Sequence, residues 1–427
     1  MIKFLVLVFF FVSMLGMGFL KDSALGIPGI PFITIPDIII FILLVHQLFR
    51  VKSKNNSEKP SLIKIVVIMT ILAVIFRLLL NALEFLPLFE LIKNANRLKN
   101  YMLFFFLSWI LEKDTDLEEV VKYMQVLFFI GAVSFFVQYY FKLDFTWKAE
   151  YSAEFGYRIR HVIFPMALIA GMMNFSLLIN SNEKRGLYFS FFVVSSVIML
   201  LSMYRNYYIA FPIGLLLIII INSIKNQKKI KSVIIISVVV VMGIALLSFT
   251  GVFDVVNLRV LSIQDELTQN KGTFAVRVLI WTVKFNAISK INPWLGIGFN
   301  WDNRAKFSPG DSDEIAIAYI TNPYVIDADN GYATLFVILG YVGIVLFLIL
   351  YMVTYVVSLR LLKTDLNTLE RSICLTAASF SIIVLFVNFG LDNFYWPYAV
   401  LPNLLLLSLI SYIEKKHKSS VSIKGNA

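Results

Sequence analysis

Long apolar segments alternate with short polar ones along almost the whole chain. Each apolar segment has about 20 residues, enough for a helix to cross about 30 Å of hydrocarbon. The pattern therefore predicts about twelve transmembrane helices. The predicted spans are 3–20, 31–49, 62–83, 98–112, 120–141, 161–180, 187–203, 206–224, 232–250, 331–358, 371–388 and 394–413.

Composition agrees with this pattern. Of the 427 residues, 59% are hydrophobic and only 15% are charged, which is typical of a membrane protein and not of a soluble domain. The single cysteine, Cys374, excludes an internal disulfide, and the three histidines are too far apart to predict a zinc site. We therefore expect one all-α polytopic membrane domain over residues 1–427, without a metal or other cofactor and without a nucleic-acid partner.

Lysine and arginine in the short loops predict the orientation. Five loops on the same side of the predicted topology are rich in these residues: those after spans 2, 6, 8, 10 and 12. This side is predicted to be the cytoplasm, with both termini on it. The first span follows Lys3 as in a signal peptide, but no small-residue cleavage site follows it, so we expect it to be retained.

The connection 251–330 then lies on the outer side, and loops of this length are usually functional. Within it, the segment "TFAVRVLIWTVKFNAISK" predicts an amphipathic helix near 273–290, and "NPWLGIG" predicts a turn. Two D-x-D tripeptides, at 311–313 and 327–329, resemble metal-binding pairs, but so short a pattern is weak evidence of a metal site. For Asp329 an alternative is that it caps the helix of span 10.

Arginine is distributed differently from lysine. Eight of the twelve arginines lie on or near the predicted outer side: Arg77, Arg97, Arg158, Arg160, Arg205, Arg259, Arg277 and Arg304. Guanidinium binds phosphate through two parallel donors, so this excess suits an anionic ligand such as a lipid diphosphate. Arg77 lies within span 3 and is a functional candidate for that reason, although it is close enough to the outer end to extend towards water.

Several of these arginines also have simpler explanations. Arg97, Arg259 and Arg304 lie in polar loop sequence, where a solvated charge is the ordinary state. Arg205, in "SMYRNYY", is at a position where it would anchor an interface. Arg277 shares one helical face with Trp281 and Lys284, and this face is also suited to packing on lipid headgroups.

Several motifs follow one another in a fixed order between residues 155 and 350. An arginine and a tryptophan on a predicted helix are followed by P-x-x-G-x-G, a long loop, and an acid, an asparagine, an aromatic residue and a G-x-x-G span. An arginine-to-proline stretch and a serine near an arginine precede them. The residues are Arg158 or Arg160, Pro165, Arg205, Arg277, Trp281, Pro293, Gly296, Gly298, Asp329, Asn330, Tyr332, Gly340 and Gly343. This order resembles the O-antigen ligase and O-antigen polymerase superfamily, whose members have histidine or aspartate before the asparagine.

The resemblance implies a metal-independent integral-membrane glycosyltransferase of the GT-C-like kind, working at the outer face. Its donor and acceptor would be undecaprenyl diphosphate-linked oligosaccharides, and its expected partners are a chain-length regulator and a flippase. Catalytic roles would fall to Arg205 and Arg277, which neutralise the leaving diphosphate, and to Asp329 as the base. Substrate binding is expected from Arg77, Arg158, Arg160, Trp281, Asn330 and Tyr332.

One departure from the family pattern bears on the reaction. O-antigen ligases resemble one another in having histidine where this chain has Asp329, and residues 251–330 contain no histidine. This favours a polymerase of O-antigen, capsule or exopolysaccharide over a ligase that transfers glycan to a lipid A core. Other possibilities for the base stay open: Asp327, Glu314, or no side chain at all. A transporter or lipid-glycan flippase is a third hypothesis, which the long outer loop and the lack of an internal repeat argue against.

Overall fold

The computed structural model describes the following residues: 26–27, 30–34, 38–40, 42–43, 60–83, 101–111, 114–142, 149–152, 156–159, 163–202, 205–223, 273–298, 330–388 and 397–424. Within these ranges the protein is predominantly helical. The helices are α1 (Leu62–Leu83), α2 (Met102–Ile110), α3 (Asp114–Phe141), α4 (Phe164–Asn180), α5 (Arg185–Leu201), α6 (Arg205–Ser223), α7 (Thr273–Ile291), α8 (Gly331–Leu361), α9 (Thr368–Val387) and α10 (Pro397–Lys424).

Two short antiparallel strand pairs accompany the helices of the described residues. Strand β1 (Gly26–Ile27) pairs with β2 (Ile30–Thr34), and β3 (Ala149–Ser152) pairs with β4 (Gly156–Ile159). The β2 strand occupies the start of predicted span 31–49, where Pro31 and Pro36 disfavour a helix. Further along this span, residues 38–40 and 42–43 are helical.

The remaining spans agree with the helices to different degrees. Helix α2 has nine residues, about 14 Å of helix, and Leu111 leaves the helical conformation; it covers the middle of the predicted span 98–112, whose residues 98–100 and 112 lie outside the described residues. Predicted spans 3–20 and 232–250 lie outside the described residues. Helix α3 begins six residues earlier than span 120–141, and α10 ends eleven residues later than span 394–413.

Helices α4 and α9 lie at the centre of the bundle. Helix α4 is apolar all round and buried along nearly its whole length, as expected of a helix without a solvent or lipid face. Helix α9 packs against α4, α6, α8 and α10, while α1 packs on α8 and α2 packs on α10. Four described helices are long and apolar enough to cross a membrane, namely α1, α3, α8 and α9. The protein is therefore a helical membrane protein.

Candidate functional site

Helix α8 is broken at Gly340. This residue has φ 61° and ψ −150°, far from helical values, so the helix bonds that should cross it are missing. Before the break, Gly331–Leu339 is buried almost all round; after it, one exposed stripe follows the helix through Tyr341, Val345 and Ile349. The break thus separates a segment enclosed by protein from a segment with a lipid-facing side.

The turn that follows α7 fills the break. The turn runs from Asn292 to Gly298, and its backbone exchanges four hydrogen bonds with α8, two on each side of Gly340. The bonds are Tyr341 N–H to Pro293 O (2.9 Å), Val342 N–H to Trp294 O (3.2 Å), Ile297 N–H to Val337 O (2.8 Å) and Gly298 N–H to Ile338 O (3.2 Å). Irregular backbone at membrane depth requires such partners, because lipid offers none.

The contact is so close that it requires glycine on both sides. A Cβ atom added to Gly340 would lie 2.5 Å from the Trp294 carbonyl oxygen, and one on Gly296 would lie 2.5 Å from the Val337 oxygen. Both residues also have positive φ, which side chains other than glycine rarely adopt. Gly296 and Gly340 therefore have a structural role that the motif alone did not reveal.

Arg77 and Asn81 of α1 lie against the same turn. They continue the buried stripe of α1 that includes Ile63, Thr70 and Val74, and Arg77 is only 3% exposed. The Asn81 side-chain Nδ2 donates to the Ile297 carbonyl oxygen at 3.0 Å. The alternative that Arg77 extends towards water is therefore wrong: its side chain faces the protein interior, as functional charges in spans usually do.

Two helices independently give the depth of this junction. From Leu62 to Asn81, α1 has 20 residues, and from Tyr341 to Leu361, α8 has a similar length. Each length corresponds to about 30 Å, the thickness of the hydrocarbon layer. At the other end of α1, Glu414 of α10 accepts from Leu62 N–H at 3.2 Å. By length, both helices are therefore able to cross the hydrocarbon layer with the break at one end of the crossing.

Exposed aromatic residues at the break support this depth. Trp294 of the turn is 67% exposed and Tyr341 is 43% exposed, and their rings meet edge to face with centroids 5.7 Å apart. Tryptophan and tyrosine are enriched where the hydrocarbon meets the headgroups. An interfacial position explains why these large rings are not buried.

Helix α7 carries Arg277 towards the beginning of α8. The Phe285 ring packs on Phe336 of α8 with centroids 4.4 Å apart, and Ile288 is fully buried. Trp281 is half-buried and Lys284 is 1% exposed, so this stretch of the face packs within the protein and not on headgroups. Arg277 lies on the helix one turn before Trp281.

Asn330 caps α8. Its Oδ1 accepts from Tyr332 N–H at 2.8 Å and Ala333 N–H at 3.0 Å, and Asn330 is 2% exposed. The prediction that Asp329 caps this helix is wrong by one residue. Tyr332 donates its hydroxyl to the Leu385 carbonyl oxygen at 2.8 Å, which fixes its ring against α9. The start of α8 is thus held firmly at Asn330 and Tyr332.

The other predicted site residues are less fully described. Arg205 is the first residue of α6, and Arg158 lies in β4, where its backbone is opposite Glu150. Arg160 and Asp329 lie outside the described residues. Contacts between these residues and Arg77 therefore stay predictions.

Two residues at the junction were not among the predicted site residues. Asn81 follows Arg77 by one helical turn, and a polar pair at this spacing in an apolar span was a usable signal. Lys284 was assigned to the polar face of α7, but the sequence did not indicate that it is buried. Its burial depends on α7 packing against α8 through Phe285 and Phe336.

Comparison with known proteins identifies a family relationship for this region. Residues 190–348 match the sequence model of a family described as O-antigen ligase. The matched range contains Arg205, α7, the turn, Asp329 and the break at Gly340, whereas Arg77 and Asn81 lie outside it. No curated protein matches the chain. The match confirms the resemblance to the O-antigen ligase and polymerase superfamily and supports a membrane glycosyltransferase of that type.

Proposed function

We propose that the protein is a polysaccharide polymerase, which transfers glycan from undecaprenyl diphosphate to the next lipid-linked repeat unit at the outer face of the bacterial cytoplasmic membrane. The observation that carries the proposal is the buried Arg77 at the membrane boundary, beside the broken helix of the matched region. The phosphates of a lipid diphosphate lie at this depth. A guanidinium there is suited to bind them without a metal ion.

The reaction needs few protein groups. The acceptor hydroxyl oxygen attacks the anomeric carbon, and the bond from that carbon to the diphosphate oxygen breaks. Diphosphate leaves with the bonding electron pair, and the hydroxyl proton passes to the carboxylate of Asp329, so the linkage inverts. Arginines next to the leaving oxygens stabilise the charge that develops on them, for which we propose Arg277 and Arg205 together with Arg77.

The packing of α7 supports a position of Arg277 near the end of the long loop. The two helices run in the same direction here, and Phe285 contacts Phe336. Arg277 precedes Phe285 by eight residues and Asn330 precedes Phe336 by six, or about 12 and 9 Å of helix. The backbone of Arg277 then lies at a level similar to that of Asn330, the residue that follows the proposed base Asp329 in the sequence.

Arg77 lies at a level closer to the hydrocarbon layer than Asn330 does. The turn residue next to it, Gly298, bonds Ile338, eight residues or about 12 Å along α8 from Asn330. The diphosphate would lie between these levels, nearer the lipid, and the acceptor hydroxyl would lie near Asp329. Arg158, Arg160, Trp281 and Tyr332 are proposed to contact the glycan from the surrounding elements.

The proposed topology completes this assignment. Twelve spans, cytoplasmic termini and an outer loop 251–330 put the junction of α1, α7 and α8 on the outer side, where lipid-linked glycans are polymerised. A chain-length regulator and a flippase are the proposed protein partners. They would supply lipid-linked repeats and limit the length of the product.

An O-antigen ligase is the second candidate, and the name of the matching family favours it. The aspartate at position 329 favours the polymerase, because the ligases that this chain resembles have histidine there. Deletion of the gene and analysis of surface glycan distinguish the two. Loss of polymerase leaves single repeats on the final carrier, whereas loss of ligase leaves long chains on the lipid diphosphate. An unchanged surface glycan would contradict both.

A further inference from the structure

Asn81 occupies a special place between Arg77 and the turn that closes the helix break. It is fully buried, and its Nδ2 donates to the Ile297 carbonyl oxygen at 3.0 Å. It lies one helical turn after Arg77 on the same face of α1, so the two side chains point the same way. This hydrogen bond is thus a direct link between α1 and the matched region of the chain.

Gly298 brings the two side chains of α1 against one backbone atom. A Cβ on Gly298 would lie 2.7 Å from Asn81 Cγ and 2.8 Å from Arg77 Nε. Asn81 and Arg77 therefore both lie against Gly298, whose N–H donates to the Ile338 carbonyl oxygen of α8. This contact relates the position of the Arg77 side chain to both helices.

We propose that Asn81 is a positioning residue, which holds Arg77 in register with the Asn292–Gly298 turn and thereby fixes its guanidinium at the depth of the substrate diphosphate. This inference rests on the proposed function. An arginine side chain has many rotamers, and holding it in one of them before the ligand arrives raises affinity. Asn81 provides this order without touching the substrate.

The test is a binding measurement that distinguishes recognition of the diphosphate headgroup from binding of the lipid chain. The purified full-length protein in lipid nanodiscs is titrated with undecaprenyl diphosphate, and with undecaprenol as the control for the lipid chain. The wild-type protein should prefer the diphosphate, and Arg77→Ala should lose that preference. Asn81→Ala should weaken diphosphate binding by about tenfold, the loss expected for one hydrogen bond that supports a charged group.

A double-mutant cycle tests whether Asn81 acts through Arg77. If it does, Arg77→Ala/Asn81→Ala should bind diphosphate within about twofold of Arg77→Ala alone, because the two losses are not independent. Gly298→Ala, which inserts a methyl group between the two side chains, should reproduce the Asn81→Ala loss without changing α1. It provides the test if Asn81→Ala does not fold.

Asn174 supplies the matched control. It is a fully buried amide of α4 that donates to the Ala170 carbonyl at 2.8 Å and accepts from Gln125 at 3.1 Å, far in sequence from the break. Asn174→Ala should lower thermal stability and leave diphosphate affinity unchanged. An equal loss of affinity in Asn174→Ala, or additive losses in the cycle, would overturn the positioning role.

Two further outcomes separate this inference from the function on which it rests. If the wild-type protein binds undecaprenyl diphosphate no better than undecaprenol, the proposed donor and the positioning role both fail. If the wild-type protein prefers the diphosphate and Asn81→Ala and Gly298→Ala bind it within about twofold of wild type, only the positioning role fails.

Discussion

The α-carbon of Gly340 faces the carbonyl groups of Pro293 and Trp294, with no room for a methyl group between them. Its backbone conformation is also one that is almost restricted to glycine. We predict that Gly340→Ala lowers the free energy of unfolding by about 3 kcal/mol, since it combines backbone strain with the loss of hydrogen bonds to the turn. Thermal unfolding in detergent, followed by intrinsic fluorescence, measures this.

Gly186 is the matched control for that substitution. It lies near the start of α5, and a Cβ added there meets no atom within 4 Å. Gly186→Ala is expected to be neutral or to stabilise the protein by up to about 1 kcal/mol, because alanine favours the helix. Equal melting temperatures for the two variants would contradict the assigned role of Gly340.

Asp329 and Asn330 are predicted to differ in what their substitution affects. Because Asn330 provides the helix cap, Asp329→Asn should abolish glycan transfer while leaving the melting temperature unchanged. Asn330→Ala should instead lower stability by about 1 kcal/mol through loss of the cap. The measurements are surface-glycan analysis at matched membrane expression and thermal unfolding. Full transfer activity in Asp329→Asn would remove it as the base.

The sequence predicted some of these residues better than others. It identified the glycines of the turn and of α8 as a motif, but the hydrogen bonds between the turn and α8 join residues 40 to 48 positions apart, which no local pattern reveals. Asp and Asn are nearly equal as caps, so propensity did not decide between positions 329 and 330. Arg77 was found because a charge in an apolar span is unusual.

At the scale of elements, the difference between prediction and structure that bears on the site is in α8. The sequence predicted one continuous span at 331–358, and the structure has a helix from Gly331 to Leu361 that is broken at Gly340. Both segments are apolar, the first because it is enclosed by protein and the second because it borders lipid. Hydrophobicity is the same in either case, so it did not predict the break.

The polar ends of α9 and α10 form a second contact that sequence patterns indicated only in part. Asn367 and Glu370 form a capping box at the start of α9, and this pattern is visible in the sequence. The partner of Glu370 is Lys416 of α10, with its Nζ 2.9 Å from Oε1. This long-range ion pair depends on how α9 and α10 pack.

Glu370→Ala is predicted to destabilise the protein by about 2 kcal/mol. Glu370 is 2% exposed, and its removal eliminates both the capping box and the hydrogen bond from Lys416. Thermal unfolding in detergent is the measurement. Exposed Asp365, in the preceding loop, is the control carboxylate, and Asp365→Ala is expected to change stability by less than about 0.5 kcal/mol. If Glu370→Ala lost no more stability than Asp365→Ala, the contact between Glu370 and Lys416 would not be stabilising.

At the scale of the whole molecule, composition and apolar length predicted a helical membrane protein, and this is confirmed. These signals succeed because the cost of unpaired backbone groups in lipid leaves helices as the simplest way to cross. The sequence did not predict which helices lie at the centre of the bundle. Helices α4 and α9 differ from lipid-facing helices in their neighbours and not in hydrophobicity. The number of spans and their orientation stay predictions.

Cysteine labelling tests the predicted orientation, because the chain has one native cysteine and Cys374 is fully buried. In a Cys374→Ala background, Lys142→Cys after α3, Glu183→Cys after α4 and Lys363→Cys after α8 each introduce a thiol at an exposed position. The 17 residues of α4 separate the first two, and about 25 Å of helix is enough to cross a thin hydrocarbon layer. A membrane-impermeant maleimide should therefore label Lys142→Cys in spheroplasts, and the other two only after permeabilisation. Labelling of Lys142→Cys and Glu183→Cys from the same side would mean that α4 does not cross, and the twelve-span topology would be wrong.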